Sequence, residues 1–151
     1  PFWFGDQITP EQANYDGNYP YAGGKKGVYR EETVEVKALP ANGWGLYQMH
    51  GNVWEWCADW YSEYPEGTVI DPSGPQGGAD RVLRGGSWVV NGRRLRSAYR
   101  NRDGPGNRYG HIGFRLARGR SSWGAEPQSG TGANRTGRTK RSGVGQGRRR
   151  G

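Results

Sequence analysis

One cysteine, Cys57, stands in a chain of 151 residues, so no internal disulfide framework can staple the fold. Histidine is nearly as scarce. With only His50 and His111, no Ser/His/Asp or Cys/His catalytic set can be argued at these positions. No apolar run approaches the length of a membrane span, and no stretch keeps a helical period beyond two turns. An initiator Met is absent as well. The chain opens at Pro1, already in aromatic sequence, and is expected to be the later part of a longer protein with any export signal upstream.

Glycine, proline and tryptophan are plentiful. Twenty-eight glycines and nine prolines imply much loop and turn, while 32% hydrophobic content and a mean hydropathy of −1.02 allow one domain with a real core. Charge divides the chain in three. Residues 1–80 carry four Lys/Arg against twelve Asp/Glu, residues 81–118 carry ten Arg against Asp103, and residues 119–151 carry eight Lys/Arg against Glu126. The first two parts nearly cancel, as an acidic half packing on a basic half would. Residues 119–151 are Gly, Ser, Thr and Arg with almost no apolar content, and are expected to be a disordered basic tail. Such a tail can bind nucleic acid weakly and non-specifically, or can simply extend the chain.

Regular elements are short. Thr9-Pro10-Glu11-Gln12 reads as a capping box opening a helix of one or two turns. Tyr15–Gly24 and Pro65–Asp80 read as loops. Strands are expected at Thr33–Val36, through the tryptophan stretch, at Arg81–Arg84, at Leu95–Arg100 and at Ile112–Leu116, the last with Ile112, Phe114 and Leu116 on one face.

The chain is organised around Gly43–Tyr61, G-W-G-L-Y-Q-M-H-G-N-V-W-E-W-C-A-D-W-Y, which holds four of the seven tryptophans. Trp54 and Trp56 share one face of an extended strand, so Glu55 and Cys57 point the other way. A carboxylate between two indoles is costly to bury without a partner. Asn52 and Glu55, with glycines at Gly45 and Gly51, are oxygen donors of the kind a hard cation takes. They equally describe an Asn at a turn and a Glu hydrogen-bonded to backbone.

Downstream, short strands present two irregular loops, Val89–Arg94 and Asn101–His111, rich in Gly, Asn, Asp and Arg. Loops on a rigid sheet are where binding residues usually sit, though ordinary turns share that composition. Arg84, Arg96, Arg100 and Arg115 are expected to stack on the tryptophans and pair with the acidic half.

The motifs G-L-Y-Q-M-H-G-N-V-W-E-W, R-V-L-R-G-G-S-W, R-S-A-Y-R and G-F-R-L-A, in this order and spacing, resemble the C-terminal half of a formylglycine-generating enzyme, or sulfatase-modifying factor, domain. The resemblance covers residues 1–118, with 119–151 as tail. It implies an α+β, C-type-lectin-like fold with little regular secondary structure, stabilised by calcium. By the family's pattern, calcium would be held by Asn52 and Glu55 with backbone carbonyls of Gly51 and Val53. A second family site uses an Asn matching Asn14 and a later Asp. Where that Asp should fall stands Lys25-Lys26-Gly27-Val28, which puts the second site in question.

The family's oxidase activity needs two cysteines shortly after R-G-G-S, whose thiolates hold copper(I). Here Ser87 is followed by Trp88-Val89-Val90-Asn91 and no cysteine, which argues against copper and against formylglycine synthesis by this chain. The same fold also serves as a binding module in proteins diversified by retroelements. There, adenines in a template are rewritten between R-G-G-S-W and G-F-R-L, turning Asn codons AAY into NNY. Val89, Val90, Asn91, Gly92, Leu95, Tyr99, Asp103, Gly104, Tyr109, Gly110 and His111 are all residues such codons encode, and Ser87 and Trp88 flank them. The expectation is therefore a calcium-stabilised module binding a protein or peptide through the 89–111 loops. The alternative is a formylglycine-generating or non-heme metal oxidase whose catalytic groups lie outside this fragment.

Overall fold

Trp54–Trp60 forms strand β1, the middle of a four-stranded sheet. Strand β2, Arg81–Arg84, lies antiparallel to it. Strand β3, Asn101–Asp103, pairs antiparallel with β2, and strand β4, Ile112–Gly113, pairs parallel with β1, giving the order β3-β2-β1-β4. This computed structural model describes residues 1–72 and 74–117, whose compact unit closes at Ala117. The tail expected at 119–151 lies outside the described residues.

The sheet follows from alternation. Glu55 faces Arg84 and Trp56 faces Leu83, and the register then slips so that Trp60 meets Arg81. The slip brings the Arg81 guanidinium over the Trp60 ring at 3.7 Å, a cation–π contact. Trp54, Val82 and Leu83 are buried, with the Tyr99 ring 5.9 Å from that of Trp54. Phe2, Ile8, Ala13, Tyr15 and Leu95 form a buried cluster, against which the partly buried Phe4, Tyr21 and Val90 pack.

Three expectations are corrected. Thr33–Val36 is not a strand; the backbone of Val34 bonds to the Asn52 side chain instead of to a neighbouring strand. Leu95–Arg100 is not one either. Leu95 closes a 3-10 turn, Gly92–Leu95, and the strand comes later, at Asn101–Asp103, whose side chains are polar and whose pairing is carried by backbone. Past Gly113 the last strand stops, leaving Phe114 and Leu116 exposed. The helix at Thr9 is one turn, Gln12 and Ala13 amides bonding to the Thr9 carbonyl, with the Gln12 side chain returning to the Thr9 amide at 3.0 Å. Helix among the described residues is thus confined to single turns and to the 3-10 segments Tyr21–Gly23 and Gly92–Leu95, so the α part of the expected α+β class is vestigial. None of these helices is long and apolar enough to cross a membrane.

Candidate functional site

The segment Gly51–Glu55 ties the N-terminal loops to the sheet. Gly51 has φ +77°, and a Cβ there would fall 2.3 Å from the Asn14 carbonyl oxygen, so only glycine permits this approach. The Asn52 amide then donates to that carbonyl at 2.8 Å. Asn52 itself is left-handed, φ +67°, and buried. Its side-chain oxygen accepts from the Val34 amide at 2.9 Å and from Asn14 Nδ2 at 3.1 Å, while its Nδ2 donates to the Val34 carbonyl at 3.1 Å. Asn14 is fully buried; its Nδ2 also reaches the Glu32 carbonyl at 2.8 Å, and its Oδ1 has no hydrogen-bond partner.

Glu55 is gripped by Arg115. Arg115 Nε donates to one carboxylate oxygen at 2.6 Å and the terminal nitrogen to the other, and that same nitrogen reaches the carbonyls of Tyr47 at 3.1 Å and Gln48 at 3.2 Å. The pair is partly sheltered, and the Glu55 bond raises the Arg115 pKa above its ordinary value. The donors around Gly51–Glu55 are therefore all oxygen: the Asn14 and Asn52 amides, the backbone, and one carboxylate shared with Arg115. The orphaned Asn14 Oδ1 is a buried acceptor that a hard cation would satisfy, so the donor type fits calcium. The charge supply is small. Among the described residues no three His, Cys, Asp or Glu gather as a metal-binding group.

The other arginines find partners unlike those expected. Arg84 donates to the Ser97 and Tyr99 carbonyls at 3.0 and 2.9 Å, Arg96 to the Arg93 carbonyl at 3.1 Å, and Arg100 lies over the rings of Tyr61 and Tyr64. None of these three stacks on a tryptophan.

Both irregular loops hang from Asn52–Trp54. The Trp88 amide donates to the Asn52 carbonyl at 3.0 Å, and the Trp54 amide donates to the His111 carbonyl at 2.8 Å. In the first loop, Asn91 is exposed and Val89 and Val90 are half-buried. In the second, Tyr109 is 50% exposed and stacks on half-buried His111 with ring centroids 5.4 Å apart. Gly110 is exposed; half-buried Asp103 caps the Gly104 amide at 2.8 Å. Trp88 is half-buried against Tyr29, and Tyr99 against Trp54.

Three candidate ligand residues lie inside. Ser87 and Leu95 are fully buried, and Gly92 is buried because the Tyr21 backbone nitrogen would meet a Cβ there at 2.8 Å. The Ser87 and Leu95 side chains are closed off from solvent, and Gly92 has none to offer. Leu95 alternates with polar neighbours as an edge strand residue would, so its burial is not evident before the 3-10 turn is known.

Two groups carry more than the motifs indicated. The loop Tyr15–Gly24 brings Asp16 and Tyr19 beside Val89, Val90, Asn91 and Arg94 around a cavity of about 340 Å³. Its alternating Tyr, Gly, Asn and Pro marked it only as loop. His50, to which the sequence assigned no role, is buried: its Nδ1–H donates to the Leu95 carbonyl at 2.7 Å and its Nε2 accepts from the Trp3 amide at 3.3 Å. Burial lowers its pKa, which keeps the ring neutral. Cys57 sits half-buried on β1, where burial pushes its thiol pKa up and disfavours the thiolate.

Residues 1–120 match the family described as sulfatase-modifying factor enzyme 1-like domain. The formylglycine-generating enzyme of Streptomyces coelicolor is 40% identical over 123 residues, covering 76% of this chain and 39% of the relative. The chain thus spans about two fifths of that protein's length. In structure it is similar to Treponema denticola variable protein 1, with a TM-score of 0.57 and 36% identity over 69% of this chain and 34% of that one. PvdO from Pseudomonas aeruginosa is also similar, with a TM-score of 0.58 and 32% identity over 76% of this chain and 42% of the other.

Proposed function

The chain belongs to the sulfatase-modifying factor enzyme 1-like family, and from that premise we propose that it is a calcium-stabilised ligand-binding module rather than a formylglycine synthase. One observation carries this reading. The loop after Gly85-Gly86-Ser87 lines open cavities with Tyr19, Val89, Val90 and Asn91, and brings no thiol to them; Cys57 lies on β1. A protein or peptide is the ligand class that suits half-buried valines beside exposed Tyr and Asn. Similarity to a protein titled as variable supports loops whose side chains differ among relatives, and retroelement diversification is the version of this that the codon argument supplies. The arrangement is taken to be C-type-lectin-like.

In this reading calcium is held by Asn52 and Glu55 with the Gly51 and Val53 carbonyls, and Asn14 belongs to the second family site, which Lys25-Lys26-Gly27-Val28 leaves without its Asp. Its contribution when bound is structural, a cross-link between loop and sheet. Asn52 meanwhile fixes Val34, and Arg115 neutralises Glu55. The basic residues 119–151 add weak, salt-sensitive nucleic-acid binding.

Two measurements test the function. Incubation with a Cys-containing sulfatase peptide, followed by mass spectrometry, is expected to show no formylglycine. Peptide display against the immobilised chain is expected to select binders whose capture is lost when Val89, Val90 and Asn91 are replaced together. Turnover of the sulfatase peptide would establish the oxidase instead, which the identity to the Streptomyces coelicolor enzyme keeps as the second reading.

A further inference from the structure

A seam runs beside the first loop. The Asp16 amide donates to the Val90 carbonyl and the Gly92 amide to the Tyr19 carbonyl, each at 3.0 Å, pinning the loop that starts at Asp16 to the segment after Ser87. Two cavities open along it. The larger, about 730 Å³, is lined by Lys26, Arg93 and Arg96, and the smaller by Asp16, Arg94 and the two valines. Tyr19 and Asn91 line both, so the cavities adjoin as one groove.

Charge along the groove is lopsided. The larger cavity has three cations and no carboxylate in its lining. The ion pairs among the described residues, Arg102 with Asp80 and Arg115 with Glu55, engage none of Lys26, Arg93, Arg94 or Arg96. Cations held around one space repel one another, and a bound anion relieves that repulsion. Guanidinium groups match carboxylates through paired hydrogen bonds. At the other end stands Asp16, whose carboxylate accepts the Asn18 amide at 3.0 Å. With Arg94 beside it, this end presents both signs of charge, which suits a peptide better than a continuous polyanion such as nucleic acid. Between the ends, exposed Asn91 offers a donor and an acceptor, which is what a peptide backbone requires.

We propose that this groove binds an extended peptide of a partner protein, with carboxylate side chains at Lys26, Arg93 and Arg96, a small apolar side chain on Val89 and Val90, and a hydrogen-bond donor or amine facing Asp16. Such a ligand presupposes the binding-module role and adds to it residues of the 16–26 loop.

The test is fluorescence anisotropy on the full chain with a labelled peptide, acetyl-Glu-Glu-Asp-Val-Ala-Gly-Lys-amide. Replacing its three acids by amides is expected to weaken binding by about tenfold or more, as is Arg93→Gln or Arg96→Gln, since each removes a charged hydrogen bond. Arg102→Gln removes an equal charge on β3 and is expected to leave binding unchanged. Asp16→Asn is expected to weaken binding of this peptide, whose Lys amine loses its partner. Equal binding of acidic and amide peptides overturns the assignment, as does an Arg102→Gln effect matching that of Arg93→Gln. Stronger binding of a single-stranded oligonucleotide through Arg93 and Arg96 overturns it in favour of a polyanion site. Displayed peptides that need Val89–Asn91 but are indifferent to Arg93→Gln and Arg96→Gln overturn the acidic ligand while keeping the binding module. If display selects nothing, both fail.

Discussion

Asn14 Nδ2 lies 3.1 Å from the side-chain oxygen of Asn52, joining two asparagines 38 residues apart into one buried unit. The family pattern assigns them to different cation sites. Here they share a hydrogen bond, and Asn52 uses both ends of its amide on Val34 as well.

Asn52→Ala is therefore expected to be among the most damaging substitutions outside the apolar core. It strands the Val34 amide and carbonyl and removes a residue suited to positive φ, an effect of about 2–4 kcal/mol in urea unfolding. Asn91→Ala, at an exposed loop position, is expected to change stability by less than about 0.5 kcal/mol in the same measurement. Equal effects from the two would remove the special place given to Asn52.

Calcium binding predicts a linked pair of results. At a hundred times its dissociation constant, calcium is expected to stabilise the fold by about 2.7 kcal/mol, so excess chelator lowers the melting temperature and Glu55→Ala abolishes the difference. Arg115→Gln is expected to tighten calcium binding, because it frees both carboxylate oxygens that Arg115 now holds. A melting curve indifferent to chelator would leave Arg115 as the only cation that Glu55 serves.

His50 predicts a pH dependence with a definite sign. Burial lowers its pKa below the ordinary 6.5, so the unfolded chain binds the proton more readily than the folded one. The stability this neutral ring contributes is present above 6.5 and is lost as pH falls from there through the folded value. Unfolding free energy is expected to drop as pH falls below the ordinary 6.5, and the drop is expected to shrink in His50→Phe. An unchanged slope in that variant would assign the drop to other groups.

The loops predict selective tolerance. Val89→Asn is expected to be mild, whereas Leu95→Asn, nominally in the same variable stretch, is expected to unfold the chain, because Leu95 is fully buried in the cluster with Phe2, Ile8 and Tyr15. Thermal melts of the two variants check this directly.

The parts of this fold legible in the sequence are those where alternation and burial coincide. Trp54–Trp60 and Arg81–Arg84 place their apolar residues against each other and fall where the alternation puts them. Thr33–Val36 alternates equally well, but its partner is one side chain, Asn52, and no local pattern announces a contact 18 residues away. Asn101–Asp103 has no apolar residue to betray it; β2 supplies the ladder. The arginine partners show the same limit. Arg115 was expected to meet acid and does, yet that the acid is Glu55, 60 residues earlier, depends on the parallel pairing of β1 with β4. The cationic groove was illegible for a further reason: its walls come from two loops whose meeting is recorded only in backbone bonds.

Those backbone bonds have a consequence for heredity. Trp88 to Asn52, His111 to Trp54, Val90 to Asp16 and Tyr19 to Gly92 are all joined through amide and carbonyl groups, which every residue but proline carries in full. Where the neighbouring side chains point outward, a mutation rewrites the message without loosening the rivets, and lineages can drift apart in what they touch while inheriting one frame. Proline at Val90's partner Asp16, or at Trp88, is the exception that such a history should avoid, since each of those amides is a donor in the join.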